Sequence, residues 1–327
     1  MEWLRIFVVM APRLPKIFLI SRLEQALAGH QGSVSPSSVS PTRFELLPTL
    51  SLRNMWNRIK LINRSALAST MVSIVDNIWF SFTSLVQNPT RPKKKVDRAF
   101  LSKLERYVKR LGIGKIGYCQ LPPEFIFKDK AALYEYVIVL TMEMDKDKID
   151  LAPSEETALM VFKTYDTLGV AANELTKFLR RHGYAAQAGH PFGGLVLYPA
   201  LAELAGLGWH GRHGLLITPE FGSRVRIAAV FTSIENLPIS EENRHAWVEE
   251  FCYASCGRCV RKCPIKAILE KPKTYSQKLM RHIDNSKCFP FFSENHGCSI
   301  CIKECPFSRH DYSGIKESFF LTKGVHT

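Results

Sequence analysis

The chain has 327 residues, a length that predicts about two domains, at least one of them large enough for a sizeable hydrophobic core. Hydrophobic residues make up 46% and charged residues 23%, a balance that is typical of globular proteins and excludes a wholly disordered chain. The net charge of +14 is unevenly distributed, with +9 over residues 1–100, −2 over 101–250 and +7 over 251–327. Basic ends of this kind could contact a membrane surface or a nucleic acid.

Neither a membrane span nor an export signal is evident in the first part of the chain. Arg13 and Lys16 interrupt the first apolar stretch and Asp76 interrupts the next, whereas a spanning helix needs ~20 mostly uncharged residues. The single Arg-Arg pair, Arg180-Arg181, lies too deep in the chain for a twin-arginine leader. We therefore expect a cytoplasmic protein.

Residues 1–95 are expected to form a basic, partly helical N-terminal region whose function the sequence does not indicate. Within it, residues 31–41 are rich in Ser and Pro and are predicted to be a mobile linker. Residues 53–88 have helical, partly amphipathic character, which favours a packed helix over one lying on a membrane surface. A peripheral membrane contact through this basic region stays open as an alternative.

Residues 96–240 have the regular patterns of a folded core. The predicted elements are a helix over 96–111, a buried strand over 136–142, a long helix from Ser154 to His182, strands over 215–218 and 226–233, and a helix capped by Ser240. Gly112 and Gly183 are predicted to end the two longer helices. Helices mixed with a few strands indicate an α+β fold, α/β-like in its core, with a mixed sheet.

Eight of the nine cysteines lie between Cys252 and Cys305, and the ninth is Cys119. The eight form two groups, Cys252-x3-Cys256-x2-Cys259-x3-Cys263-Pro264 and Cys288-x9-Cys298-x2-Cys301-x3-Cys305-Pro306. Each group closes with Cys-x2-Cys-x3-Cys-Pro, the ending of the bacterial ferredoxin motif, in which the fourth cysteine binds the other cluster. Cys119 is predicted to be a small buried side chain.

The spacing favours two [4Fe–4S] clusters. Two zinc sites with four cysteines each are one alternative, although zinc sites usually pair Cys-x2-Cys knuckles and seldom double a Cys-x3-Cys-Pro ending. Disulfides are a second alternative, although nothing in the sequence indicates an oxidising compartment. Because an oxidised cluster with four thiolate ligands carries a formal charge of about −2, the basic residues of this region could balance it, which argues against nucleic acid as their partner.

Ferredoxin wiring assigns the ligands across the two groups. One cluster takes Cys252, Cys256, Cys259 and Cys305, and the other takes Cys263, Cys288, Cys298 and Cys301. Crossed ligation would tie the two halves into one ferredoxin-like module over residues 241–327 and keep the clusters close enough for electron transfer. Cys252 is the ligand that departs from the usual pattern, because three residues separate it from Cys256 where two are usual.

Sequence motifs of several other chemistries are missing. The chain contains no phosphate-binding P-loop, no Gly-x-Ser-x-Gly, and no Asp-x-His-x-x-Gly of the kind that supplies a histidine to cobalt. The residue patterns alone therefore predict an electron-carrying module joined to a core of unknown chemistry. A non-catalytic, ferredoxin-like electron carrier is one protein that would fit them.

Three segments, spread between Val96 and Arg309, stand in an order that is known from one family. They are Glu143-Met-Asp145 followed by Ala152-Pro-Ser154, then Ala205-Gly-Leu-Gly-Trp-His-Gly-Arg-His-Gly-Leu-Leu-Ile-Thr-Pro-Glu-Phe-Gly-Ser-Arg-Val-Arg226, and Cys288-Phe-Pro-Phe-Phe-Ser-Glu-Asn-His-Gly-Cys-Ser-Ile-Cys-Ile-Lys-Glu-Cys-Pro-Phe307. Together they resemble the corrinoid-dependent reductive dehalogenases, whose superfamily also contains the epoxyqueuosine reductases. Respiratory members of that family are longer and carry a twin-arginine leader.

The resemblance implies a base-off cobalamin held between the core and the cluster module. Electrons would pass from cluster to cluster to cobalt, and a carbon–halogen bond would be reduced with the uptake of two electrons and one proton and the release of a halide. A small organohalide is thereby implied as substrate and a ferredoxin or flavodoxin as electron donor. Nucleic acid is not implied as a partner.

Three catalytic residues are also implied by the resemblance. Tyr165 corresponds to the proton donor, Arg226 to the arginine that ends the Pro-x-x-Gly-x-Arg-x-Arg turn, and His190 falls near a third polar position that is usually Asn or Lys. Because a free phenol has a pKa of about 10, a nearby cation is needed to stabilise the phenolate. Without the family, Tyr165 would be a helix residue with a buried ring, Arg226 an ion-pair residue, and His190 an exposed loop residue.

The main alternative within the superfamily is an epoxyqueuosine-type reductase that acts on tRNA. That branch carries an Asp shortly upstream of the Ala-Gly-Leu-Gly-Trp segment, and residues 189–200 of this chain contain no acidic residue. His210 and His213, which flank Gly-Arg within the same hallmark segment, are expected to be structural or to lie beside the cofactor. The leading hypothesis is a reductive dehalogenase.

Overall fold

The structure is a computed structural model and describes residues 14–30, 32–41, 61–240, 242–276 and 279–324. The helices are α1 (Leu14–Ala28), α2 (Leu61–Thr83), α3 (Arg98–Arg110), α4 (Lys146–Asp150), α5 (Glu155–Arg181), α6 (Tyr198–Leu204), α7 (Trp247–Phe251), α8 (Arg258–Lys262), α9 (Asn285–Glu294), α10 (Ile300–Lys303) and α11 (Tyr312–Thr322). The strands are β1 (Lys115–Gln120), β2 (Tyr136–Glu143), β3 (Ala186–Gly189), β4 (Trp209–His210), β5 (Leu216–Ile217), β6 (Val225–Thr232), β7 (Ile268–Ser276) and β8 (Leu279–Ile283).

The largest sheet has four strands in the order β1-β2-β6-β3. Every pairing in it is antiparallel, so the expectation of a mixed sheet is wrong, although the combination of helices and small sheets is confirmed. The reason is the position of β6. The helical crossover through α5 leaves β2 and β3 running in the same direction, and β6 enters between them and runs opposite to both.

Local sequence signals account for the long helices. The Ser154 hydroxyl accepts a hydrogen bond from the Thr157 amide (3.1 Å) at the start of α5, and Asp97 does the same for α3. Gly183 follows α5 with a φ of +87°, a left-handed conformation that costs glycine little. The predicted helices over 96–111 and 154–182 and the predicted strand over 136–142 are confirmed to within a few residues.

The sheet is buried on both faces. Along β2, Ile138 and Leu140 point into the cluster that packs under α3 and α5, while Val137 and Val139 point into the cluster on the α6 side. All four side chains have no exposed surface. Residues of opposite orientation in one strand therefore serve two hydrophobic layers, which explains why this strand is an uninterrupted apolar run.

The N-terminal region packs against the core. Leu67, Met71 and Ile74 of α2 lie in one cluster with Ala158 of α5, which confirms a packed helix for the described part of residues 53–88. None of the described helices is long and apolar enough to cross a membrane.

The segment predicted as a mobile linker is instead held by the core over residues 32–41. Val34 pairs with Ala132 in a β-bridge, and the buried Ser40 hydroxyl donates to the carbonyl oxygen of Pro123 (2.9 Å). Its composition suggested mobility, but backbone hydrogen bonds to a distant loop order it.

The strands predicted over 215–218 and 226–233 are confirmed as β5 and β6. β5 pairs with β4, and a β-bridge between Thr218 and Gly222 closes the turn that follows it. Ser240 does not cap a helix, since its hydroxyl donates to the Glu242 carbonyl and α7 begins after Ala246. The turn at 218–222 consequently projects from the core toward the cysteine-rich region.

Candidate functional site

Four cysteines from both sequence groups surround one enclosed cavity. The cavity is lined by Cys252, Cys256, Cys259 and Cys305, together with Arg212, His213, Phe251, Gly257, Pro306 and Phe307. These are the four cysteines that ferredoxin wiring assigns to one cluster, and Cys252 is among them. The segment Cys252–Cys256 forms a π-helical turn, in which the Gly257 amide donates to the Cys252 carbonyl (3.1 Å). Because a π-turn is wider than an α-turn, it accommodates the additional residue between the first two cysteines.

The other four cysteines form a second group. Cys301 interacts electrostatically with Cys263, Cys288 and Cys298. Cys288 in turn interacts with Cys263 and Cys298. The Ala267 amide donates to the Cys263 sulfur at 3.3 Å. Cys301 also interacts with Cys259 of the first group, so the two groups are neighbours. Within the described residues, no three His, Cys, Asp or Glu side chains meet closely enough to hold a single metal ion.

The two Cys-x2-Cys segments share one backbone conformation. Gly257 (φ +58°) and Ser299 (φ +64°) both follow the first cysteine of their segment in the left-handed region, and each precedes a short helix, α8 or α10. Cys263 and Cys305, which close the two groups, have similar extended conformations and are each followed by proline. The sequence repeat is thus also a structural repeat.

Burial raises the pKa of several thiols in each group, and neighbouring sulfurs raise it further. The pKa of Cys259 and of Cys288 is about 11, and that of Cys305 about 12. Cys252 and Cys301 are shifted in the same direction. Four thiolates can share so confined a site only with a cationic centre among them, and this donor set fits an iron–sulfur cluster.

The hallmark turn of the core is packed onto the exit of the second cysteine group. The hydroxyls of Ser223 and Ser308 lie 2.7 Å apart, and a Cβ placed on Gly222 would be 1.8 Å from the carbonyl oxygen of Phe307. Lys303 donates to the Ala152 carbonyl (2.9 Å). The residues that carry the family resemblance therefore meet at the boundary between core and module.

A cleft of about 560 Å³ opens beside the first cysteine cavity. One side is the loop Pro191–Pro199 with its two glycines, and the other is Gly214 and β8, including His282. His213 lines both the cleft and the cavity. Its Nδ1 accepts from the Leu215 amide (3.1 Å), and its buried Nε2 has no hydrogen-bond partner among the described residues.

Tyr165 and Arg226 are in direct contact. The guanidinium carbon of Arg226, on β6, lies 3.9 Å from the centroid of the Tyr165 ring, on α5, and Phe192 approaches the same ring edge-on at 5.3 Å. Arg226 forms no ion pair with a described residue; its Nη2 lies 3.0 Å from the Met144 sulfur, and its buried Nε has no partner in the part of the chain described. Arg226 is thus a cation at an aromatic ring and not an ordinary ion-pair residue.

His190 is brought to the same place. It is 5% exposed, so the expectation of an exposed loop residue is wrong. Its Nδ1 lies 3.0 Å from the amide nitrogen of Phe192, and its Nε2 faces the backbone of Gly169, one helical turn beyond Tyr165. Burial lowers the pKa of His190 to about 4, so the ring is neutral at pH 7. The three residues implied by the resemblance lie together.

A second set of histidines lies beside the first cysteine cavity. His210 Nδ1 is 2.5 Å from a carboxylate oxygen of Glu203, and its ring is 4.8 Å from that of His282. Burial lowers the pKa of His210, but the hydrogen bond and charge of Glu203 raise it overall. The sequence analysis did not find Glu203, which lies just before the hallmark segment and belongs to no motif, or His282, which is far from that segment along the chain and reaches it only on folding.

No family model matches the chain. Over 229 residues it is 34% identical to a tetrachloroethene reductive dehalogenase of Desulfitobacterium hafniense, covering 62% of this chain and 39% of that protein. Over 121 residues it is 32% identical to an epoxyqueuosine reductase of Listeria monocytogenes, covering 35% of this chain and 30% of that protein. The solved structure of the catabolic reductive dehalogenase NpRdhA in complex with 3-bromo-4-hydroxybenzoic acid matches with a TM-score of 0.67 at 18% identity, over 89% of this chain and 45% of that one.

In sequence, the chain is similar to reductive dehalogenases and, over a shorter segment, to epoxyqueuosine reductases. The resemblance drawn from the three sequence segments is thereby confirmed. The chain spans about two fifths of the length of the curated reductive dehalogenases that it matches. The likeness to NpRdhA shows that the arrangement of helices and small sheets is a reductive dehalogenase fold.

Proposed function

We propose that this protein is an iron–sulfur, corrinoid-dependent reductase that removes a halogen from a small organohalide. The observation that carries the proposal is the contact between Arg226 and Tyr165, which supplies an acidic O–H and the cation that its conjugate base needs. The overall change adds two electrons and one proton to the carbon–halogen bond, releases the halide and leaves a carbon–hydrogen bond in its place.

The eight cysteines of residues 241–327 would hold the two [4Fe–4S] clusters. The first cluster would be bound by Cys252, Cys256, Cys259 and Cys305, and the second by Cys263, Cys288, Cys298 and Cys301. The cavity of the first group shares His213 with the cleft, whereas the second group neighbours the first, since Cys301 interacts electrostatically with Cys259. This order of neighbours supports electron flow from the second cluster to the first and then to the cleft.

The cleft beside the first cysteine cavity is the proposed corrinoid site. Gly193, Gly194 and Gly214 line it, and Gly194 and Gly214 pack closely against Tyr198 and His282, two ring side chains that also line the cleft. The unpartnered Nε2 of His213 offers a buried polar contact in the same cleft. A corrinoid bound there would supply the low-valent cobalt that reduces the carbon–halogen bond.

Within the core, residues 96–240, Tyr165 would give its phenolic proton to the carbon from which the halide departs. The phenolic oxygen forms no hydrogen bond with a described residue, so it is free to face a substrate. Arg226 would stabilise the resulting phenolate. His190 would contribute a neutral imidazole to the site without adding a second positive charge, and the next residue of its loop, Pro191, lines the cleft.

The test is anaerobic reconstitution with iron, sulfide and cobalamin, followed by ion chromatography of halide released from a panel of haloarenes and chloroalkenes. We expect about eight irons per chain, and halide release that requires both cobalamin and a low-potential reductant. No halide release by protein that retains reduced cobalamin and both clusters would contradict the proposal. Reduction of epoxyqueuosine in tRNA by the same preparation would assign the alternative activity, and clusters without any bound corrinoid would indicate an electron carrier.

A further inference from the structure

The two cysteine groups lie at different depths. Three of the four cysteines of the first group, Cys252, Cys259 and Cys305, are 6%, 7% and 4% exposed, whereas Cys256 and every cysteine of the second group are partly exposed. No cysteine lines the cleft, but the cavity of the first group shares His213 with it. Because the rate of electron transfer falls steeply with distance, an external donor would reach the second group first.

Exposed cations surround the ligands of this second group. They are Arg261, Lys262, Lys266 and Lys287, which we call the basic patch. Arg261, Lys262 and Lys266 lie within three residues of Cys263, and Lys287 directly precedes Cys288. None of the four forms an ion pair within 4 Å with any residue in the described ranges, although Lys287 interacts electrostatically with Asp284, and Lys262 with Glu304. The four cations outnumber these two carboxylates, so the patch presents a net positive charge.

Acidic groups near the patch do not cancel it. Asp284 caps the start of α9, where it accepts from the Ser286 amide (3.1 Å), and Glu294 lies at the far end of that helix. Glu304 is held by Arg258 (2.9 Å) and Arg309 (3.4 Å). The surface around Cys263 and Cys288 consequently remains basic, which favours a partner of negative charge.

An aromatic pair adjoins the patch. Phe289 and Phe292 of α9 stack with ring centroids 6.2 Å apart, and Phe292 is 40% exposed. Phe289 directly follows Cys288. An exposed aromatic side chain surrounded by charge is the composition of protein–protein contacts, in which aromatic residues form the centre and polar residues the rim.

We propose that the basic patch and Phe292 dock an acidic one-electron carrier protein of the ferredoxin or flavodoxin class, and that electrons enter at the second cluster. The inference rests on the two clusters of the proposed function. In each encounter the carrier loses one electron and the second cluster gains one, which then passes to the first cluster. Two encounters supply the two electrons of one turnover.

The test mixes reduced flavodoxin with oxidised, cluster-loaded protein in a stopped-flow instrument and follows the loss of iron–sulfur absorbance. The double substitution Lys262→Glu/Lys287→Glu is expected to lower the second-order rate constant about tenfold or more at low ionic strength. At about 1 M ionic strength, where the Debye length is about 3 Å, the difference should nearly vanish. Phe292→Ser should slow the reaction by a factor that depends little on salt.

Arg98→Glu/Arg106→Glu on α3 makes the same change in net charge on an exposed surface away from the cysteines and should leave the rate unchanged. Iron content and reduction by titanium(III) citrate report on the clusters themselves. A preparation without reducible clusters would overturn the proposed function and this inference with it. Intact clusters that flavodoxin reduces equally fast in the wild type and in the Lys262/Lys287 variant would overturn the docking site alone. The docking site would also be overturned if the Lys262/Lys287 variant lost tRNA binding while its rate of reduction by flavodoxin stayed unchanged.

Discussion

The guanidinium carbon of Arg226 lies 3.9 Å from the centre of the Tyr165 ring, although the two residues belong to different elements, β6 and α5. A cation over a partly desolvated aromatic face contributes about 1–2 kcal/mol. The same contact places the positive charge where a phenolate would form. The packing of the Tyr165 ring and the stabilisation of its phenolate therefore both depend on Arg226.

Replacing Tyr165 with Phe should abolish proton donation and keep the ring that Arg226 contacts. We expect halide release to fall by about 10²–10⁴-fold, the usual contribution of a general acid. Iron content, corrinoid content and the melting temperature should change little, since the aromatic packing with Phe192 is retained. The measurement is the halide release rate at saturating reductant. A rate within a few-fold of the wild type would exclude Tyr165 as the acid.

Arg226 and Tyr165 should behave as one unit in a double-mutant cycle. Arg226→Met removes the charge and retains much of the side-chain length, and we expect it to lower halide release by at least about tenfold. Because the arginine acts through the phenolate, the double variant with Tyr165→Phe should be no slower than Tyr165→Phe alone. Independent, multiplying effects of the two substitutions would argue that Arg226 acts elsewhere.

Cys252 should be a cluster ligand in spite of its unusual spacing. The Cys252→Ala variant is expected to lose the first cluster, lowering iron from about eight to about four atoms per chain. Cys119→Ala is the matched control, because this thiol is also buried, with a pKa raised to about 12 by burial, and lines neither cysteine site. Iron analysis and low-temperature EPR of the reduced proteins provide the readout. Full iron content in Cys252→Ala would remove it from the ligand set.

Gly222 should be intolerant of any side chain. In Gly222→Ala the new Cβ would meet the Phe307 carbonyl oxygen at 1.8 Å, and the φ of +57° would be strained as well. We expect a loss of more than about 2 kcal/mol in the free energy of unfolding, measured by chemical denaturation. Gly206→Ala is the control for backbone strain without a steric clash, since the φ of Gly206 is +70° and nothing lies within 4 Å of the added Cβ. Equal losses in the two variants would show that the core–module contact contributes nothing.

His190 should make stability depend on pH. Its pKa in the folded protein is about 4, below the usual 6.5, so the unfolded chain binds more protons between these values and stability rises with pH. Lowering the pH from 7 to 5 should therefore cost about 2 kcal/mol through this group. His190→Gln should flatten that dependence, whereas His310→Gln, at an exposed position, should not. Denaturation curves at the two pH values measure the difference. An equal pH dependence in wild type and His190→Gln would contradict the assignment.

The local elements of the core followed from short-range rules. The cap at Ser154, the basic last turn of α5 and the glycine at 183 are all signals within a few residues of the structure they specify. The same holds for the apolar run of β2. The all-antiparallel sheet could not be predicted in this way, because the insertion of β6 between β2 and β3 joins segments that are far apart in the chain.

By itself, the sequence predicted the cysteine chemistry, since ligand type and spacing are properties of the chain, and its repeat predicted the crossed grouping. It also pointed to Tyr165, Arg226 and His190 as candidate catalytic residues, although only through family resemblance. Tertiary structure alone decided that His190 is buried, that Arg226 lies on the ring of Tyr165, and that residues 32–41 are ordered. All three features depend on contacts between segments that are far apart in the chain. The residues that neighbour His190, Arg226 or residues 32–41 in sequence carry no signal for such contacts.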